Sequence, residues 1–391
     1  MEMKSFALKY CTKCLLPNTR PNGHFNTDGV CSACEFLFLS SGTNYQDRFN
    51  ELQDLVQERT KHRRSRRWNC VVGVSGGKDS TRQALWVRDK LQMRPLLVCV
   101  SYPPRQGSDI GAANLSNLVA LGFDCVMLSP APKLSKRLVR KAFLDFGNWC
   151  KATEMALFAG VPQVAMQKGI DLILWGENPA LQVGDQGTLG ADMWDGDRLR
   201  NSNTLQGGDL SWFLDEATDE RLLSLYKFPK EQDLIDHGIR TIFLGPAWSD
   251  WSNTTNAAVS LAHGFRLRAE KWDETGDLFR SEMIDEEWVI VNNLLKYFKF
   301  GFSRGTEQAN SLIRSGSISR SLGSEIAGAL DPACGDRYIA SFCRYIEISE
   351  SEFWGVVKRF ANPYLFDCSA GLRPVARFRP GIDQVLEESF R

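Results

Sequence analysis

Two groups of residues in this 391-residue chain have the types and spacing that chemistry needs. The first is a cysteine quartet: Cys11-Thr-Lys-Cys14 and Cys31-Ser-Ala-Cys34, separated by the 16 residues 15–30. That interval matches a four-cysteine zinc site. Each CxxC knuckle sets two thiolates on one side of a tight turn, and two knuckles complete a tetrahedron with no open position for a catalytic water. The expected role is structural zinc, with Pro17, Pro21, Gly23 and Gly29 suiting the loop between the knuckles. The second group is Val74-Ser75-Gly76-Gly77-Lys78-Asp79-Ser80-Thr81, which follows a β-branched run and opens a helical pattern. A strand, a glycine turn and a helix N-terminus aim backbone N–H groups at an anion. The loop is not a Walker A motif: Gly73 leaves three residues before Gly77 rather than four, and Asp79 follows the lysine where Ser or Thr is needed.

The elements that would position these groups follow from periodicity. Asn69–Val74, Pro95–Val100, Phe123–Leu128, Ile170–Trp175 and Arg240–Leu244 read as strands. Ser80–Leu91 and Asp109–Leu121 read as helices, and Val164–Lys168 closes another. Strands alternating with helices of this length predict an α/β fold, a doubly wound and mostly parallel sheet. Residues 1–45 form an expected zinc-binding module, turn-rich and poor in periodicity. Residues 46–68 form a linker helix ending in the basic run Lys61–Arg67, residues 69–265 the domain built around the anion-binding loop, and residues 266–391 a helical C-terminal domain. The last carries helical spacing over Glu286–Phe300, Thr306–Ser315, Ser319–Leu330 and Glu350–Phe360. Between Glu177 and about Lys230 lies a long glycine- and aspartate-rich stretch of the kind that serves as a lid or substrate loop.

Composition narrows the classes. Apolar residues make up 43% and charged residues 24%, and Lys plus Arg equals Asp plus Glu at 47 each. This is the make-up of a globular protein without the positive excess of one that lives on phosphate-backbone contacts, so no nucleic-acid partner is expected. Mean hydropathy is −0.27, no run is long and apolar enough for membrane insertion, and the N-terminus lacks signal-peptide succession, so the expected location is cytoplasmic. Cytosolic thiols stay reduced, and the seven remaining cysteines read as small buried hydrophobes.

Further candidates sit at the ends of the expected strands. Glu177 and Asn178 follow the fourth strand, at a carboxyl edge where doubly wound sheets bind ligands. Glu177 suits magnesium binding, orienting a nucleophile or accepting a proton, the alternative being a capped turn. Ser101 and Tyr102, after the second strand, are placed to meet adenine or ribose. Trp248, Asp250 and Trp251 pair aromatic faces with a carboxylate as sugar sites do, although tryptophans are also core residues. Lys296 and Lys299, three apart on one helix, and Arg304 suit substrate phosphates or a solvated face. Asp192, Asp195 and Asp197 hint at a cation loop but miss the EF-hand spacing.

The loop resembles the PP-loop, Ser-Gly-Gly-x-Asp-Ser, of ATP pyrophosphatases. The resemblance implies that ATP is cleaved between its α and β phosphates and that a substrate oxygen is adenylated. The residues suit that chemistry: Gly76 and Gly77 permit close backbone approach, Ser75 and Ser80 donate hydrogen bonds, Lys78 neutralises leaving pyrophosphate and Asp79 helps hold Mg2+. Lys78, Asp79 and Glu177 are the expected catalytic residues.

Taken with the loop, "KYCTKCLLPNTRP", "GVCSAC", "LILWGENPALQVG" and "LLKYFKFGFSRGTEQANSLIRSGSISR" give the chain a resemblance to the N-acetyl sugar amidotransferases of bacterial surface-polysaccharide and O-antigen synthesis, from about residue 9 to about 360. That resemblance implies conversion of an acetamido group on a nucleotide-activated sugar to an acetamidino group, with ATP and ammonia. It also implies a partner, a separate glutaminase subunit like that of histidine biosynthesis, often accompanied by a cyclase-like subunit. No glutamine-hydrolysing nucleophile is evident in this chain: Pro332-Ala-Cys334-Gly is no nucleophile elbow. Two other readings stay open, a PP-loop tRNA-thiolating or other RNA-modifying enzyme and a nucleotide-binding zinc module without turnover.

Overall fold

The computed structural model describes residues 7–63, 66–176, 194–202, 205–214, 219–369 and 371–382. In chain order its helices are α1 (Ser32–Ser40), α2 (Tyr45–Thr60), α3 (Lys78–Asp89), α4 (Asp109–Ala120), α5 (Pro132–Phe146), α6 (Cys150–Gln167) and α7 (Glu231–Asp236). They continue with α8 (Asn253–Ala262), α9 (Trp272–Thr275), α10 (Val289–Phe300), α11 (Arg304–Arg314), α12 (Arg320–Leu330), α13 (Asp336–Ile346) and α14 (Glu350–Phe360).

Strands β1 (Cys70–Gly73), β2 (Pro95–Val100), β3 (Asp124–Leu128), β4 (Leu172–Trp175) and β5 (Arg240–Phe243) pair in parallel, in the order β3-β2-β1-β4-β5. A small antiparallel pair, β6 (Phe366–Asp367) with β7 (Val375–Ala376), lies near the C-terminal end of the described chain. Side-chain alternation gives the main sheet two apolar faces. Val72, Leu97, Leu174 and Ile242 pack with α2, α3 and α4, while Val71, Leu96, Val98 and Ile173 pack against α6 and α7. The winding reverses between β1 and β4, and an open α/β sheet carries its ligand crevice at the carboxyl ends of such strands. The doubly wound α/β fold expected from periodicity is the observed one.

The C-terminal helices pack onto α5 and α6. Phe143 stacks on Phe353 with ring centroids 5.4 Å apart, and Trp149 Nε1 donates to the Trp288 carbonyl at 3.1 Å. Leu138, Met155, Ile290, Leu294 and Phe342 fill the space between, so one core runs across residue 265. The cysteine segment adds an element not anticipated by its poor periodicity, helix α1, whose first turn carries Cys34. The segment is docked on α11: Leu15 N–H donates to Asn310 Oδ1 at 2.6 Å, and Leu15 is buried with Ala309 and Ala327. Among the described residues no helix is long and apolar enough to cross a membrane.

Candidate active site

The loop leaves β1 at Gly73, and α3 begins at Lys78 with Gly77 as its N-cap. Gly76 has φ +84°, and a Cβ on it would stand 3.0 Å from the Leu115 backbone nitrogen, so glycine is required for both conformation and space. Hydroxyls hold the turn: Ser75 Oγ accepts from Gly77 N–H at 3.3 Å, and Ser80 Oγ accepts from Ser75 N–H at 3.3 Å and donates to Gly77 O at 3.1 Å. No side chain caps the start of α3 at Gly77, and the dipole at a helix N-terminus favours an anion.

Lys78 is 1% exposed, and its Nζ lies 2.6 Å from Asp79 Oδ2 and 2.8 Å from Glu282 Oε1. Burial opposes the charge, but the carboxylates of Glu282 and Asp79 outweigh it and hold the ammonium protonated well above its ordinary range. Asp79 is fixed on its other oxygen by Asn256 Nδ2 at 2.6 Å, and Asn256 Oδ1 accepts from Arg82 at 2.6 Å. Arg82 reaches on to Asp250 Oδ2 at 2.7 Å, and its guanidinium lies 5.1 Å from the Trp248 ring centre. Ser260 Oγ on α8 caps the Lys78 carbonyl at 2.7 Å.

This framework sorts the residues expected from sequence. Ser75, Gly76, Gly77, Lys78, Asp79 and Ser80 form one turn. Asp250 joins them through Arg82 and Asn256. Trp251 lies against the end of β4, where a Cβ on Gly176 would stand 3.0 Å from its ring. Trp248 is buried, stacking on Trp86 at 4.5 Å and meeting Trp251 edge-on at 4.6 Å, so it packs as a core residue. Ser101 follows β2 with its N–H on Leu128 O at 2.8 Å. Glu177, Asn178 and Asp192 lie outside the described residues.

Asp195 and Asp197 pin chain to chain rather than forming a cation loop. Asp197 accepts from Thr241 N–H at 2.7 Å and Arg240 at 3.1 Å, and Asp195 accepts from Asp197 N–H at 2.9 Å. Lys296 and Lys299 part company. Lys296 Nζ pairs with Glu307 at 2.5 Å, whereas Lys299 Nζ donates to the Phe146 carbonyl at 2.8 Å between the Phe300 and Phe360 rings.

Glu307 also pairs with Arg304 at 3.4 Å and Arg20 at 3.5 Å. Arg304 lies 3.7 Å from Glu282. A partly buried chain of alternating charge thus runs from the loop lysine through Glu282, Arg304 and Glu307 to Lys296 and to Arg20 in the cysteine segment. Glu307 loses by burial but gains more from Lys296, Arg304 and Arg20, which keep its carboxyl well below the usual carboxylate range. Sequence reasoning missed Arg82, Asn256 and Glu282. None carries a local motif, because each meets the loop only through tertiary packing.

The second site is the cysteine quartet. The four Sγ atoms all lie within 4.8 Å of one another, Cys14 and Cys31 being 3.7 Å apart. A tetrahedral metal with bonds of about 2.3 Å to sulfur sets its ligands roughly 3.8 Å apart, so the donor set fits such an ion. Cys11 Sγ receives the backbone N–H groups of Lys13, Cys14 and Cys31 at 3.3–3.5 Å. The other cysteines behave as packing residues; burial pushes Cys99 and Cys343 up to about 12 and Cys125 to about 11.

Parts of the chain are similar to known proteins. A solved NH3-dependent NAD synthetase from Campylobacter jejuni is 16% identical over 47% of this chain and 92% of its own, with a TM-score of 0.27. The U34-tRNA thiolase NcsA from Methanococcus maripaludis, with its 4Fe-4S cluster, is 15% identical over 69% of this chain and 79% of its own, with a TM-score of 0.30. No curated protein matches the chain. Residues 268–379, which hold Glu282, Lys296, Arg304 and Glu307, match the family model for the C-terminal domain of LPS biosynthesis protein WbpG-like chains. That part of the chain is similar to the C-terminal domain of WbpG-like LPS biosynthesis proteins.

Proposed function

We propose that this chain is an ATP-dependent amidotransferase acting on a nucleotide-activated N-acetyl sugar. The observation that carries the reading is the pairing of Lys78, in a Ser-Gly-Gly-Lys-Asp-Ser turn at the carboxyl end of β1, with Glu282 from the WbpG-like domain. Activation comes from the first domain, and a surface-polysaccharide context comes from the second. In the proposed reaction the acetamido oxygen attacks the α-phosphorus of ATP, the bond to the β-phosphate breaks and pyrophosphate leaves. Ammonia then adds to the activated carbon, the carbon–oxygen bond breaks and AMP departs with that oxygen. Loss of a proton from nitrogen leaves the amidine.

An amide carbonyl is a poor electrophile, and adenylation supplies the leaving group it lacks. The N–H groups of the loop and Lys78 hold the phosphates, and Asp79 is the carboxylate suited to Mg2+, which would supply charge neutralisation when bound. Asn256 keeps that carboxylate aimed, and Asp250 with Trp251 offers a carboxylate beside an aromatic face for the sugar. The four cysteines would hold a structural zinc that braces the segment carrying Arg20. Ammonia would come from a separate glutaminase subunit with a cyclase-like companion.

The test is product analysis. Incubation with ATP, magnesium, ammonium salt and nucleotide-linked N-acetyl sugars should release AMP and pyrophosphate in equal amounts, with a one-mass-unit decrease in the sugar as oxygen is exchanged for NH. Release of ADP and orthophosphate would overturn the reading.

A further inference from the structure

The strained turn that carries Glu282 points to a role for this residue toward the loop lysine. Glu282 lies between α9 and α10, flanked by two non-glycine residues in the left-handed region, Arg280 at φ +56° and Met283 at φ +45°. Such conformations are costly and persist only where surroundings enforce them. Here the enforcement is visible: Glu282 N–H donates to Asp277 Oδ2 at 2.8 Å, and Gln308 Nε2 holds Asp277 Oδ1 at 2.7 Å. The result is a carboxylate side chain only 9% exposed, set against a lysine only 1% exposed.

We propose that Glu282 is a positioning residue that competes with bound phosphate for Lys78 and is handed to Arg304 when phosphate arrives. The inference rests on the reading of the loop as an ATP site. Before ATP binds, the single charge of Lys78 is shared between two carboxylates, so an approaching phosphate meets a net negative trio. To serve phosphate as a cation, Lys78 must loosen from Glu282. A buried carboxylate cannot be left unpaired without a large cost. Arg304, 3.7 Å away on Glu282 Oε2, is the group that can take it. Arg304 also meets Glu307 at 3.4 Å and the Met283 sulfur at 2.8 Å, and when it shifts Glu307 keeps Lys296 at 2.5 Å and Arg20 at 3.5 Å. Glu282 thus keeps the lysine in place before phosphate arrives at the expense of ATP affinity, and Arg304 sets how much is lost.

The sign of the effect separates this from a merely structural role, which predicts weaker binding for every variant. Calorimetric titration of the full chain with ATP and magnesium should show Glu282→Gln binding about tenfold tighter than wild type, the factor that 1.4 kcal/mol yields. Glu282→Asp, which keeps the charge but shortens the reach, should bind two- to threefold tighter and decides the matter if the glutamine variant does not fold. Arg304→Met should bind several-fold weaker, and adding Glu282→Gln to it should restore tight binding. Equal or weaker binding by folded Glu282 variants, with wild type binding ATP, overturns the inference alone. Failure of wild type to bind ATP overturns the ATP reading and this inference with it.

Discussion

The side-chain amide of Asn256 donates to Asp79 Oδ1 at 2.6 Å while its own oxygen accepts from Arg82 at 2.6 Å. An amide in this position does what neither a carboxylate nor a hydrocarbon can: it donates to Asp79 and directs one of its lone pairs. Asp79 is thereby the fixed end of a chain that continues through Arg82 to the exposed Asp250.

Asp79→Ala should abolish AMP formation, a loss of at least about 100-fold of the size seen for groups that stabilise developing charge, with an unchanged circular dichroism spectrum. Asn256→Asp should cost roughly tenfold or more, because a second carboxylate beside Asp79 repels it. Asn256→Gln, which restores the amide on a longer stem, should recover only part of the rate. An Asn256→Asp variant as active as wild type would remove Asp79 from the metal-binding role.

Metal analysis of the purified chain should find about one zinc per chain, bound by Cys11, Cys14, Cys31 and Cys34. Cys14→Ser should lose the metal and lower the melting temperature, since structural zinc sites contribute folding energy directly. The effect should reach the C-terminal helices, because Leu15 is bonded to Asn310 on α11. A metal-free chain of full stability would end this expectation.

Glu307 makes stability depend on pH in a defined direction. Its folded pKa is depressed by Lys296, Arg304 and Arg20, so its contribution is complete above its unfolded value near 4.3 and is lost as pH falls toward the folded value. Glu307→Gln leaves those cations without their shared anion and should cost about 3 kcal/mol at pH 7, as breaking a buried pair does. Urea unfolding at pH 7 and pH 3 should show the gap between wild type and variant shrinking at the lower pH. A gap that is constant or grows would mean the carboxylate is not held by those cations.

Glutamine alone should give no product with this chain, whereas ammonium salt at alkaline pH should give some, because neutral ammonia can enter the crevice from solvent. Adding the proposed glutaminase with its cyclase-like companion should restore use of glutamine at low concentration. Product formation from glutamine by the single chain would overturn this division of labour.

Much of this architecture is written locally. The strand cores fall where β-branched runs predict them, and the loop, the cysteine knuckles and helix α14 are legible because each depends on residues a few positions apart. Helix α6 showed only its end in sequence because it is apolar nearly all round; Ala152, Met155, Ala156, Ala159 and Val161 are all buried, which leaves no polar stripe to reveal the period. Lys296 and Lys299 share helical spacing, yet one joins the charge chain and the other caps a carbonyl on α5, since long side chains take their partners from whatever packs nearby. What sequence alone determined is the apparatus that short-range geometry can encode: the anion-binding turn, the four-thiolate set and the βα alternation that presents them. Which carboxylate neutralises Lys78, which amide aims Asp79 and which arginine stands ready for Glu282 were decided only by tertiary packing. No periodicity links residues so far apart in the chain, and burial is what makes each of those pairings obligatory.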